Sequence, residues 1–122
     1  MIRVFVIEDT PQMRTLLEQV LTLDDFEVVG SVANGADALR EMNEANPDVV
    51  VVDYKMPGLD GLLTARLIRE ERPDQKMILY TAYLDDDLER KAAKAGVALC
   101  VEKAEGILTL ERDIRRLAGE AT

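Results

Sequence analysis

The sequence predicts an α/β protein built on a five-stranded, doubly wound parallel sheet. Three observations lead there. Five short β-like runs alternate strictly with five helical stretches, the pattern of a parallel sheet with helices on both faces. The central run, Val49 to Val52, is continuously apolar and β-branched, as a strand buried on both faces must be. Right-handed crossovers then leave a doubly wound topology as the natural closure.

Each element has its own justification. Ile2 to Ile7 reads as the first strand. Thr10 followed by Pro11 marks a helix start, with an N-cap and then proline at the first helical position. Met13, Leu16, Leu17, Val20 and Leu21 repeat at the spacing of a buried helical stripe. Phe26 to Val32 is the second strand, and Asn34-Gly35 opens a second helix carrying Ala38, Leu39 and Met42. That helix must stop before Pro47, whose ring disfavours helical backbone in the preceding residue. Val49 to Asp53 is the third strand. The turn-rich segment Lys55 to Asp60 leads into a helix from Gly61 to Glu71, which Pro73 ends.

Met77 to Thr81 is the fourth strand. Asp85, Asp86 and Asp87 follow, where carboxylates favour a helix N-terminus. The helix beyond them has only a thin apolar stripe of Leu88, Ala92, Ala93 and Ala95, and Gly96 suits its C-terminal cap. Val97 to Val101 is the fifth strand. Ile107, Leu110, Ile114 and Leu117 line the last helix.

Composition narrows the function. The 122 residues fit one domain, with 119–122 as a tail or the beginning of a linker. The formal charge of −9 comes from 24 acidic and 15 basic residues. Such a surface repels nucleic acid, so direct nucleic-acid binding is not expected. Cys100 is the only cysteine, which excludes an internal disulfide and suits a reducing, cytoplasmic setting. No signal peptide is recognisable, and no apolar run approaches the length of a membrane span. Histidine is absent, so histidine catalysis and histidine metal ligation are excluded.

The polar residues at the carboxyl ends of the strands carry the chemistry, because open α/β sheets bind ligands there. The first strand ends in Glu8-Asp9, the third in Asp53, the fourth in Thr81 and the fifth in Glu102-Lys103. If the first and third strands are neighbours, their ends lie about 4.8 Å apart. Three carboxylates in that volume need a cation or a shifted pKa. Oxygen donors without histidine select Mg²⁺, Mn²⁺ or Ca²⁺, and an incomplete protein shell suits Mg²⁺ best. A carboxylate also serves as a nucleophile toward phosphorus. That chemistry calls for a divalent ion, a fixed cation such as Lys103, and donors such as Thr81 and nearby backbone N–H groups. Taken singly, each of these residues has an ordinary reading as a cap, a turn residue or a solvated charge. Their coincidence at one sheet edge does not.

Glu8-Asp9, then Asp53-Tyr-Lys-Met-Pro-Gly with Asp60-Gly61, then Thr81-Ala82, then Lys103: this order resembles the receiver domain of two-component response regulators over essentially the whole chain. The resemblance implies a flavodoxin-like (βα)5 sheet of order 2-1-3-4-5. It implies phosphorylation of Asp53 by a sensor histidine kinase, a phosphotransfer protein or a small phosphodonor, and a switch in binding to a downstream effector. It further implies that Asp9, Asp53 and the backbone carbonyl of Lys55 hold Mg²⁺, or alternatively Mn²⁺, with Glu8 binding directly or through water. Lys103 would pair with the phosphoryl group and Thr81 would turn inward to hydrogen-bond it. No enzymatic activity is implied beyond the protein's own phosphoryl transfer and dephosphorylation. The family often dimerises through the surface from the fourth to the fifth helix, so a homodimer is compatible with the resemblance.

Four positions depart from the pattern or tune it. Cys100 stands where many receivers carry an aromatic switch residue, with Tyr83 as the candidate replacement in the readout. Lys55 and Tyr83 stand two residues after Asp53 and Thr81, beside the approach of the attacking water, and their bulk predicts slow dephosphorylation. Ala104 replaces the frequent proline after the lysine. The thinly anchored fourth helix makes Thr81 to Val101 the segment expected to shift on phosphorylation. Two rivals fit less well. A phosphatase of the haloacid dehalogenase type wants a second aspartate where Lys55 stands. A pseudo-receiver that serves only as an interaction module would have lost an acidic, Asp, Thr or Lys position, and none is lost.

Overall fold

Alternating apolar runs and amphipathic stretches assemble as the pattern requires. In the computed structural model, which describes residues 1–119, the strands are β1 (Arg3–Ile7), β2 (Glu27–Val32), β3 (Val49–Val52), β4 (Lys76–Thr81) and β5 (Leu99–Glu102). All neighbours are parallel, in the order β2-β1-β3-β4-β5. The helices are α1 (Pro11–Leu23), α2 (Gly35–Ala45), α3 (Gly61–Glu71), α4 (Asp86–Ala95) and α5 (Ile107–Leu117). This is the expected doubly wound, flavodoxin-like sheet.

Side-chain alternation along the strands divides the core into two layers. Val4, Val6, Val49, Val51, Ile78, Tyr80 and Val101 pack with Leu17 and Leu21 of α1 and Leu110 and Ile114 of α5. Phe5, Ile7, Val50, Val52, Met77 and Leu79 face the other way, onto residues of α2, α3 and α4. The β3 valines are buried throughout, as a central parallel strand demands.

Several boundaries move, for local reasons. The fifth strand begins at Leu99 rather than Val97. Gly96 takes a left-handed conformation (φ +99°), and its N–H and that of Val97 donate to the carbonyls of Ala93 and Ala92. This double closure of the last turn holds Val97 in the helix cap. The same motif closes α1, with Asp25 in the glycine-like position (φ 68°) and the Phe26 N–H on the Leu21 carbonyl. Phe26 is therefore a cap residue, and β2 starts at Glu27. No glycine advertises that turn in the sequence.

Two helical stripes are narrower than their periodicity predicts. Leu16 is 43% exposed, and Ala93 also faces solvent. Thr10 occupies the N-cap position of α1 without a side-chain capping bond. Its N–H is instead held by Glu8 Oε2 at 3.1 Å. Asn34, Asp60 and Asp85 do cap α2, α3 and α4 through their side chains. Gly119 lies in the turn after α5, and the rest of the expected tail, 120–122, lies outside the described residues.

Candidate functional site

Register places the acidic residues. Ile7 pairs with Val52, and the Asp53 N–H continues the ladder onto the Ile7 carbonyl at 3.0 Å. The chains leaving β1 and β3 therefore run side by side. Glu8, Asp9 and Asp53 each offer a carboxylate oxygen within 4.8 Å of the others. Glu8 is 2% and Asp53 9% exposed, so two of the three charges sit largely out of water.

Lys103 answers them from beyond β5. Its Nζ lies 2.7 Å from Glu8 Oε1 and 3.4 Å from Asp53 Oδ2. Burial alone would lower its pKa, but the two carboxylates outweigh that and raise it, so the ammonium stays charged. Asp53 Oδ1 accepts the N–H of Tyr54 at 2.8 Å. Burial, reinforced by the charge of Glu8, nevertheless pushes the Asp53 carboxyl up to about 6 against the opposing pull of Lys103. Three acids facing one ammonium are under-neutralised. The donor set is hard oxygen, and it fits a small divalent cation.

Thr81 closes β4 at the same rim and is 4% exposed. Its hydroxyl meets the Tyr83 backbone at 3.4 Å, a long and weak contact. Lys55 is exposed in the β3–α3 loop, and Tyr83 is 83% exposed. Cys100 is half-buried against the layer formed by α2, α3 and α4. Burial, with a smaller push from Glu89, raises its thiol to about 11, leaving it protonated and unreactive at neutral pH.

Three contacts at the site were not foreseen from the sequence. Arg14 donates from its guanidinium to the Glu8 carbonyl at 2.8 Å, clamping the β1–α1 turn. Gly61 lies against the phospho-acceptor candidate's own backbone. Its N–H donates to the Tyr54 carbonyl at 2.7 Å, and a Cβ there would stand 2.0 Å from the Asp53 carbonyl oxygen. The Asp60-Gly61 pair was the available signal, since the cap and the close approach fall on consecutive residues. The third is the ring of Tyr80, whose centroid lies 5.9 Å from Lys103 Nζ.

Comparison with known proteins bears on the family and the fold. The model of the response regulator receiver domain matches residues 4–115. Response regulator GacA of Pseudomonas viridiflava is 34% identical over 116 residues, covering 94% of this chain and 54% of that protein. The chain thus spans about half the length of that relative. Chemotaxis protein CheY of Listeria monocytogenes is 32% identical over 96 residues, covering 79% of this chain and 81% of CheY. Among solved structures, a DNA-binding response regulator of the LuxR family from Staphylococcus aureus superposes with a TM-score of 0.89 at 30% identity, covering 97% of this chain and 99% of that one. Response regulator TrrA of Thermotoga maritima, solved in complex with Mg²⁺-BeF, gives 0.84 at 31% identity, with coverages of 96% and 99%. A family match across nearly all of the sheet and both core layers, joined to relatives above 30% identity, leaves one assignment: the chain belongs to the response regulator receiver domains of phosphorylation-based, two-component signalling.

Proposed function

We propose that Asp53 is the phospho-acceptor of this receiver domain. The observation that carries the reading is the meeting of Glu8, Asp9 and Asp53 within 4.8 Å, with Lys103 bridging Glu8 and Asp53. An Asp53 carboxylate oxygen attacks the phosphorus of the donor, the bond from phosphorus to the donor's leaving atom breaks (the imidazole nitrogen of a phosphohistidine or the bridging oxygen of an acyl phosphate), and an acyl phosphate forms on Asp53. Lys103 leaves Glu8 to pair with the incoming phosphoryl oxygens. Thr81, weakly held by the Tyr83 backbone, is free to turn its hydroxyl toward the same group. The N–H of Tyr54 remains aimed at the carboxylate.

Glu8, Asp9, Asp53 and the carbonyl of Lys55 would hold Mg²⁺, or alternatively Mn²⁺. Bound there, the ion neutralises the crowded carboxylates and the charge of the phosphoryl oxygens. TrrA, a relative solved with Mg²⁺-BeF, supports that assignment by likeness. The donor would be a sensor histidine kinase, a phosphotransfer protein or a small acyl phosphate, and the recipient of the signal a downstream effector domain or protein. Residues 1–122 would act as one domain in the cytoplasm, with no enzymatic activity beyond their own phosphoryl transfer and its hydrolysis. Among the described residues, no helix is long and apolar enough to cross a membrane.

Incubation with acetyl phosphate and Mg²⁺, read by intact mass, tests this. One phosphoryl adduct is expected on the wild type, and none on Asp53→Asn or in excess chelator. A wild type that stays unmodified, or an adduct that survives in Asp53→Asn, would remove Asp53 from the role and leave a domain that only binds partners.

A further inference from the structure

Lys103 has a long flexible stem, yet its ammonium must sit within reach of two carboxylates on different strands. It follows β5 directly and opens a short 3-10 turn, Lys103–Glu105, so its backbone supplies only the general direction. The ammonium is largely buried, with its side chain 17% exposed. What lies under it therefore decides how readily it stays there. An aliphatic floor would offer only a low-dielectric surface, which disfavours a partly desolvated cation. The floor here is the ring of Tyr80, 2% exposed and fixed in the layer that includes Val101, Leu110 and Ile114.

Because side chains alternate across a strand, consecutive residues of β4 serve the site from its two faces. Thr81 brings a hydroxyl to the rim, and Tyr80 places its ring on the α1–α5 side. There the ring lies 5.9 Å from Lys103 Nζ, within the reach at which an aromatic ring attracts a cation. We infer that Tyr80 is a positioning residue: its ring holds the Lys103 ammonium between Glu8 and Asp53, and so sets the rate of phosphoryl transfer to Asp53. This deepens the reading of Asp53 and Lys103 given above and rests on it. Tyr80 touches no reacting atom; it acts through Lys103. The attraction belongs to the face of the ring, so the hydroxyl is dispensable.

The test replaces Tyr80 by Phe and then by mono-, di- and trifluorinated phenylalanines, in the full chain. Fluorine drains the negative face of the ring while scarcely changing its shape. The initial rate of phosphorylation by acetyl phosphate in Mg²⁺ is followed by intact mass, with Tm measured alongside. Tyr80→Phe is expected to keep the rate. Each added fluorine should lower it, reaching on the order of 3- to 10-fold for the trifluoro ring, with Tm nearly constant. Tyr80→Leu should lose a similar factor. A rate that ignores fluorination, or one that merely follows Tm, overturns the role of Tyr80 while leaving Asp53 as acceptor. Failure of the wild type to form any adduct, or an adduct on Asp53→Asn, overturns both.

Discussion

At the scale of single residues, Asp53 shows how a buried carboxylate weighs on its own fold. Its pKa is pushed up to about 6, first by burial and then by Glu8. A raised acid pKa means that folding favours the protonated form, so the ionised form costs stability. That cost is absent below about pH 4, grows through pH 6 and is complete above it. Its size is about 1–3 kcal/mol. Asp53→Asn should therefore be more stable than wild type by about that much at pH 8 in chelator, with the two converging at pH 4. Urea denaturation at both pH values measures the gap. Equal stabilities at pH 8, or a gap that persists at pH 4, would contradict it. Asp53, Glu8, Asp9, Thr81 and Lys103 were legible in the sequence because they follow or close β-like runs, and the strand order that the family resemblance implies brings those ends together. Tyr80 was not legible as a neighbour of Lys103. That contact depends on which way the lysine stem turns after β5, and no local pattern encodes it.

At the scale of elements, the fold was legible wherever periodicity and punctuation agreed, as in β3 or at the Asp85 and Gly96 ends of α4. It was less legible where a cap used an unexpected residue, as Asp25 does after α1. The same turn hides a pair no sequence pattern reveals. Glu111 of α5 is 2% exposed, its Oε2 lacks a hydrogen-bond partner among the described residues, and the carboxylate of Asp24 lies beside it. Arg115 crosses from α5 to the Asp24 carbonyl at 3.1 Å, with its guanidinium 4.6 Å from the centre of the Phe26 ring. Burial first, then Asp24, pushes Glu111 up to about 7, despite Arg115. The sign is that of Asp53: stability is lost as the pH climbs toward and through 7. Glu111→Gln keeps the shape, removes the charge and can donate to Asp24. At pH 8.5 it should gain about 1–3 kcal/mol over wild type, shrinking to nothing near pH 4.5. Thermal melts across that range decide it, and a variant less stable than wild type at pH 8.5 would show that the ionised glutamate is well accommodated.

At the scale of the whole molecule, these two carboxyls stand at opposite ends of the sheet, Asp53 beyond the carboxyl end of β3 and Glu111 beside the turn that enters β2. Both disfavour folding in their ionised forms. With the cation withheld, stability should therefore decline between about pH 4 and 7, and the net charge of −9 adds self-repulsion in the same direction. A divalent ion held as proposed would act on one end only. It would bind the folded state through ionised Asp53 and stabilise by mass action, more as its concentration exceeds its dissociation constant. Below pH 6 it would first have to displace the proton that burial has placed on Asp53. The rise in Tm produced by a fixed excess of Mg²⁺ should thus be small at pH 5 and full at pH 8. It should vanish in Asp53→Asn at every pH. In Glu111→Gln it should remain as large as in wild type, because distant sites without shared partners contribute independently. A shift of equal size at pH 5 and pH 8 would mean that proton and cation do not compete for Asp53. A shift lost in Glu111→Gln would mean that the two ends of the sheet communicate through α5, and the acidic rim would no longer account for the ion's effect by itself.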